Sequence, residues 1–247
     1  MSIERPTLTL TTSWDDGHPL DFRIAGLLAK HGLRGTFYVP LENSRPTLTA
    51  PQIRELSQSF EIGAHTVHHF VLTTLPDDQA NSEIMQSKAR LEDITGKPCL
   101  VFCFPKGRYG NAHIKMLGEA GFAGARTVEL MSLDRPRAEH SVPIMPTTLQ
   151  ACPNSTLAYL RNAVKRFRYK ALWNLLLHNH GADWAATALA LLGRASKTGG
   201  VFHLWGHSWE IDANQQWSAL DLVLSAMADS SRSALCFTNS ELCIDGE

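Results

Sequence analysis

The sequence predicts an α/β fold: about seven largely parallel strands curled into a barrel, with helices packed outside. Three observations predict it. Strand-like and helix-like stretches alternate along almost the whole chain, a pattern that builds parallel sheets with helical crossovers. The 247 residues, 44% hydrophobic and 19% charged, suffice for one large core, so 1–247 is read as a single domain. Seven strands in one such unit suit a barrel better than an open sheet.

The elements follow in order. Leu8-Thr9-Leu10-Thr11 alternates, which marks a first strand over Leu8–Ser13. Asp21–His31 is a helix with Phe22, Ile24, Ala25, Leu27 and Leu28 on one broad face and Gly32 as its stop. Gly35–Val39 is β-branched and aromatic, hence a strand. Thr49 can cap the next helix, with Pro51 near its first position and Ile53 and Leu56 turned inward. Phe60–Ala64 is a short strand ending at His65. Pro76–Thr95 has helical period through Ile84, Leu91 and Ile94 and closes at Gly96. Leu100–Phe104 reads as a buried strand, Asn111–Ala120 as a helix ended by Gly121, and Phe122–Arg126 as a further strand. Thr127–Asn154 is long, proline-rich and poorly periodic, so it reads as a loop of the length that often carries function. Thr156–Leu177 and Asp183–Leu192 are helical, Gly200–Trp205 a strand, Gln215–Met227 a helix and Ala234–Thr238 the last strand.

Composition narrows the function. A net charge of −1 counts against a general electrostatic nucleic-acid binder, and the basic run Lys165–Lys170 reads as the solvated face of a helix. No apolar run reaches the length of a membrane span. Met1–Pro6 shows no basic region followed by an apolar core. Cys99, Cys103, Cys152, Cys236 and Cys243 are odd in number and form no CxxC. These features together set the expectation of reduced thiols and a cytoplasmic location. No GxGxxG or Walker loop follows a strand, so no nucleotide cofactor is expected. Oligomeric state is not readable from the sequence.

Chemistry concentrates at two strand ends. Asp15 and Asp16 follow the first strand, and adjacent carboxylates repel unless a cation or basic partner relieves them. His65 and His69 follow the third strand at a spacing of four, which on a helical turn aims both imidazoles at one point. One carboxylate with two histidines, leaving open positions, is a sensible catalytic metal site.

With these residues assembled, the chain resembles the NodB-homology polysaccharide deacetylases of carbohydrate esterase family four. Ser13-Trp14-Asp15-Asp16-Gly17 is similar to the family's first motif and His65-Thr66-Val67-His68-His69 matches its second. Phe102–Gly110 matches the third in part, and Trp205–Glu210 resembles the last, in family order. The resemblance implies a deformed (β/α) barrel and one divalent metal ion, zinc being the usual one. It implies hydrolysis of an N-acetyl group on an amino sugar or oligosaccharide. By position, Asp16, His65 and His69 would hold the metal, Asp15 would be the base and His207 the acid. Trp14, Pro105, Lys106, Arg108, Tyr109 and Trp209 fall near the implied mouth as candidate substrate contacts.

The chemistry stands beside the resemblance. Amide hydrolysis needs a polarised carbonyl, an activated water, a base for its proton and an acid for the leaving amine. The Lys106–Tyr109 loop could offer a backbone N–H to the oxyanion. His203, on the late strand, is a second candidate acid, although a strand histidine is ordinarily a hydrogen-bonded core residue. Two departures stand out. Cys103 occupies the place where the family carries an arginine that braces the base, and Lys106 or Arg108 could take over. The family's fourth motif, which orients the catalytic histidine, is not recognisable; Asp134, Arg135 and Glu210 could replace it. Two rival readings share the fold: an allantoinase-like hydrolase opening cyclic amides, and a non-catalytic glycan-binding domain.

Overall fold

The computed structural model describes residues 7–140, 142–153 and 183–244, together with Trp173 and Leu177. Most of the expected helix Thr156–Leu177, the basic run Lys165–Lys170, His178 and His180 lie outside the described residues.

Strand β1 (Leu8–Asp15) is the axis of the sheet. All eight residues are buried, because the sheet curls and covers both strand faces. Leu8, Leu10 and Trp14 point to the helices, and the alternate residues Thr9, Thr11, Ser13 and Asp15 point inward. Around β1 the chain adds β2 (Thr36–Val39), β3 (Glu61–Ala64), β4 (Val101–Cys103) and β5 (Gly124–Arg126) on one side, all parallel. On the other side lies β9 (Gly200–Gly206), paired with β1 over seven residues, while β10 (Leu235–Cys236) pairs with the start of β1 on the same edge that β2 takes further along.

The region Thr127–Asn154, expected as a loop, instead carries β6 (Arg137–Glu139), β7 (Val142–Met145) and β8 (Leu149–Gln150). β6 and β7 form the one antiparallel pair among the described strands. β7 pairs with β5 through Ala125↔Ile144, and the same segment then reaches β9 through Leu149↔Leu204. Residues 142–150 therefore bridge the two flanks of the curl and give the deformed (β/α) barrel that the sequence implied. Strands of two to four residues, interrupted by Pro143 and Pro146, are too short for alternation to register.

The helices α1 (Asp21–Lys30), α2 (Ala50–Leu56), α3 (Asp77–Thr95) and α4 (Asn111–Glu119) fall where the apolar period puts them. On α3 the inward stripe is Ala80, Ile84, Ser87 and Leu91. Gly96, at φ +68°, ends that helix in the left-handed conformation glycine adopts without strain. α5 (Trp184–Thr198) runs past its expected end and packs on β9, and α7 (Trp217–Ser231) packs against α5 and α1. Two helices were not expected: α6 (Ser208–Ala213), directly after β9, and α8 (Asn239–Ile244) at the far end of the barrel. Each is under two turns, too brief for a helical period to show.

The barrel interior is small and partly polar. Tyr38, Val101, Cys103, Met145, Val201, Leu242 and Cys243 form its apolar part. Tyr38 is fixed by Asn239, which donates from Nδ2 to the phenol oxygen at 2.9 Å and accepts from Thr11 Oγ1 at 2.9 Å. Gly63 on β3 makes room for the Tyr38 ring: an added Cβ would lie 2.5 Å from Cδ1 and Cε1 and 3.1 Å from the Val101 carbonyl. Gly63→Ala is therefore expected to destabilise the protein by about 1–3 kcal/mol through overpacking. Denaturant unfolding would read this as a lower midpoint at unchanged slope.

Candidate active site

The site forms where β1, β3, β4 and β9 end, on the loop side that parallel α/β folds use for chemistry. β1 finishes at Asp15, and the next residue, Asp16, takes φ +77°, an unusual conformation for a residue with a side chain. Thr66 at +64° and His69 at +55° are bent likewise after β3. Three non-glycine residues in that region mark backbone held in place by its surroundings, a feature that clusters at functional sites.

Asp16, His65 and His69 converge. His65 Nε2 lies 3.8 Å and His69 Nε2 3.2 Å from Asp16 Oδ1. That oxygen is buried, yet it has no hydrogen-bond partner. The other, Oδ2, accepts from Trp209 Nε1 at 2.9 Å. His65 Nδ1 lies 2.7 Å from the Cys103 carbonyl, so it carries the proton and leaves Nε2 as a lone pair facing Asp16. Burial pushes His65 down to about 4, against the pull of Asp15, and lowers His69 as well, so both are neutral donors near pH 7. One aimed carboxylate oxygen and two neutral imidazole nitrogens, all within 4.8 Å of one another, fit a divalent cation.

Asp15 points into the barrel from the same corner. Its Oδ1 accepts from Arg126 Nη2, and Cys103 Sγ stands 3.7 Å from Oδ2. Burial opposes a charge there, but Arg126, with His65 and His207, outweighs it and holds the Asp15 carboxyl below its ordinary value. Arg126 is itself wholly buried, on β5, with its guanidinium 4.5 Å from the Trp205 ring and 5.4 Å from that of Tyr38. Lys106 and Arg108, the expected substitutes for the missing arginine, do not reach Asp15. Cys103 and Arg126 are register partners on adjacent strands, so the charge is supplied one strand over from its expected place. A lone Arg in an apolar run, Ala125-Arg126-Thr127, was the available signal.

His207 follows β9. Its Nδ1 lies 2.6 Å from Glu210 Oε2, which also accepts from Gln150 Nε2 at 2.8 Å, and its Nε2 lies 4.0 Å from Asp16 Oδ2. Burial works against the imidazolium, but the Glu210 bond and the charges of Asp15 and Asp16 prevail and raise the His207 pKa. Of the residues considered for orienting this histidine, Glu210 does so. His203 is a buried residue bonded to Ser13 Oγ at 2.8 Å and lowered to about 3 by burial, the ordinary core role. His68 turns away to Glu83 Oε1 at 2.6 Å.

The candidate substrate contacts divide. Trp14 is wholly buried among the helices, its Nε1 donating to Thr12 Oγ1, and Pro105 is buried, so neither offers a surface. Tyr109 stacks on Phe104 at 4.4 Å. Lys106 and Arg108 are exposed. The N–H groups of Gly107 and Arg108 are used within their own turn, bonding Phe104 and Pro105 carbonyls, and are not free for an oxyanion.

A second residue escaped the sequence reading. Asp21, at the start of α1, is fully buried; Oδ1 accepts from Ser208 Oγ at 2.5 Å, and Oδ2 has no partner. It ties α1 to the residue after His207.

A deformed (β/α) barrel with an Asp-His-His cluster at its strand ends defines a class of protein before any comparison. Residues 3–125 match the family described as polysaccharide deacetylase. The Bacillus subtilis (strain 168) protein YxkH, named for a polysaccharide deacetylase, is 26% identical over 141 residues. That match covers 54% of this chain and 50% of YxkH, so the chain spans about half the length of the relative it matches. A Mycobacterium smegmatis structure assigned to the polysaccharide deacetylases has a TM-score of 0.71 at 15% identity, over 99% of this chain and 92% of that one. The chitin deacetylase of the fungal pathogen Colletotrichum lindemuthianum has a TM-score of 0.62 at 15% identity, over 96% and 88%. At these identities the likeness is one of fold.

Two outcomes follow from the buried charges. Arg126→Met strands Asp15 and is expected to cost about 3–5 kcal/mol, whereas adding Asp15→Asn to it recovers part of the loss. Denaturant midpoints of the single and double variants measure this. Burial, opposed by the Ser208 bond, raises the Asp21 pKa well above 3.8. A raised acid stabilises the fold fully below its unfolded value, and that stabilisation is lost as pH rises through the folded value. Asp21→Asn should therefore stabilise at neutral pH, with the gain fading as pH falls toward about 4.

Proposed function

We propose that this chain hydrolyses the N-acetyl amide of an amino sugar, free or within an oligosaccharide, using a divalent cation held by Asp16, His65 and His69. The observation that carries the reading is Asp16 Oδ1: a buried carboxylate oxygen without a hydrogen bond, facing two neutral imidazole nitrogens. Nitrogen and oxygen donors in this proportion favour zinc. When bound, such an ion supplies Lewis acidity for an acyl oxygen and for a water in the same site.

The chain's own groups do the rest. Trp209 Nε1 fixes one oxygen of Asp16 and keeps the other aimed. Arg126 keeps Asp15 ionised, and Oδ2, free of the guanidinium, is the atom to take the proton of the attacking water. Glu210 at its Nδ1 raises the His207 pKa and favours the imidazolium, whose Nε2–H faces the cluster to protonate the departing amine. Base and acid are kept apart in pKa by opposite partners, a cation for one and a carboxylate for the other.

Metal analysis and acetate release from N-acetylated sugars test the assignment. Asp16→Asn is expected to leave purified protein with substoichiometric metal. Asp15→Asn is expected to retain the metal while turnover falls about 10²–10⁴-fold. Turnover unaffected by Asp15→Asn, or wild-type protein purified without metal after growth in zinc, would sink the reading. Release of a ring-opened carboxylate from a cyclic amide in place of acetate would favour the allantoinase-like rival.

A further inference from the structure

Resting on that reading, we propose that the substrate is an anionic, phosphorylated N-acetylated sugar, with Arg45 and Lys106 gripping its phosphoryl group at the mouth of the site. The first observation is how little open ring face the tryptophans and the tyrosine of the described site offer. Neutral sugars are usually held on exposed ring faces. Here Trp14 and Trp205 are buried, Tyr109 lies against Phe104, and the Trp209 ring is covered by the Arg45 guanidinium at 3.8 Å.

The second is charge. Arg45 and Lys106 are both exposed, and neither pairs with a carboxylate among the described residues. Arg45 sits on the indole that holds Asp16, and Lys106 lies in the turn that follows β4, whose last residue, Cys103, holds His65 through its carbonyl. Nearby acids are already engaged. Asp15 is held by Arg126, Glu210 by His207 and Gln150, and Asp212 by Trp217 and Arg23.

The third is geometry. A guanidinium held over an indole face still has N–H groups to offer, the fork that fits phosphate oxygens. Lys106 sits at φ +55° with Gly107 at +60°, a tight turn in which a lysine replaces the residues that adopt it easily. Two cations without a carboxylate partner among the described residues, beside the site, raise the local concentration of an anionic substrate.

The test compares kcat/KM for acetate release from N-acetylglucosamine 1-phosphate, UDP-N-acetylglucosamine and the neutral methyl N-acetylglucosaminide. The phosphorylated sugars should be preferred by about tenfold or more. Arg45→Gln and Lys106→Gln should each shrink that ratio, and added salt should raise KM for the phosphorylated sugars more than for the neutral one. The better of the two phosphorylated sugars tells a sugar monophosphate from a nucleotide-linked one. Equal or faster release from the neutral glycoside overturns this inference and leaves the amidohydrolase reading standing. A phosphate preference that survives both substitutions overturns the assignment to Arg45 and Lys106. Acetate from none of the three overturns the inference together with the reading it rests on.

Discussion

A carboxylate inside a barrel is tolerable only beside a positive charge that cannot be lost. Asp15 has such a partner in Arg126, and much of the interior is arranged around the pair. The guanidinium needs room, which Cys103 leaves by being small at the register position next to it. It also needs walls, which the rings of Trp205 and Tyr38 supply. Tyr38 in turn needs Gly63 behind it and Asn239 at its hydroxyl. A single ion pair thus links β1, β2, β3, β4, β5, β9 and the closing helix α8.

The same pair separates the two aspartates. Like charges on adjacent residues would each push the other toward protonation. Arg126 takes up the charge of Asp15 from inside the barrel, and the reversed backbone at Asp16 turns the second carboxylate to the loop side. Two histidines and an indole receive it there. Identical neighbours in sequence become chemically distinct through one residue of left-handed backbone.

Much of this was legible in the sequence. Long periodic stretches such as Asp77–Thr95, and the strand-ending motifs at Asp15 and His65, carry their signal within a few contiguous residues. What was hidden depends on contacts across the fold. Nothing near Arg126 in sequence reveals that it faces Asp15, because the link is a strand register. Trp14 sits inside a motif and so looked like a mouth residue, but strand alternation beside an inward Asp15 obliges it to face the helices. Asp21 resembled an ordinary helix start, and only the packing of α6 shows it buried. The short strands β6 to β8 owe their form to neighbours rather than to their own residues.

The segment 142–150 bridges the flanks of the curl, and its last residue, Gln150, also holds the Glu210 that holds His207. Seam and His207 therefore share a fastening. A chain that has laid down its early strands has Asp15, Asp16, His65 and His69 in hand but no oriented His207. That histidine is aligned when the seam is in place. Assembly of the barrel thus acts as an interlock on the site, and a half-folded chain carries only part of the cluster by construction.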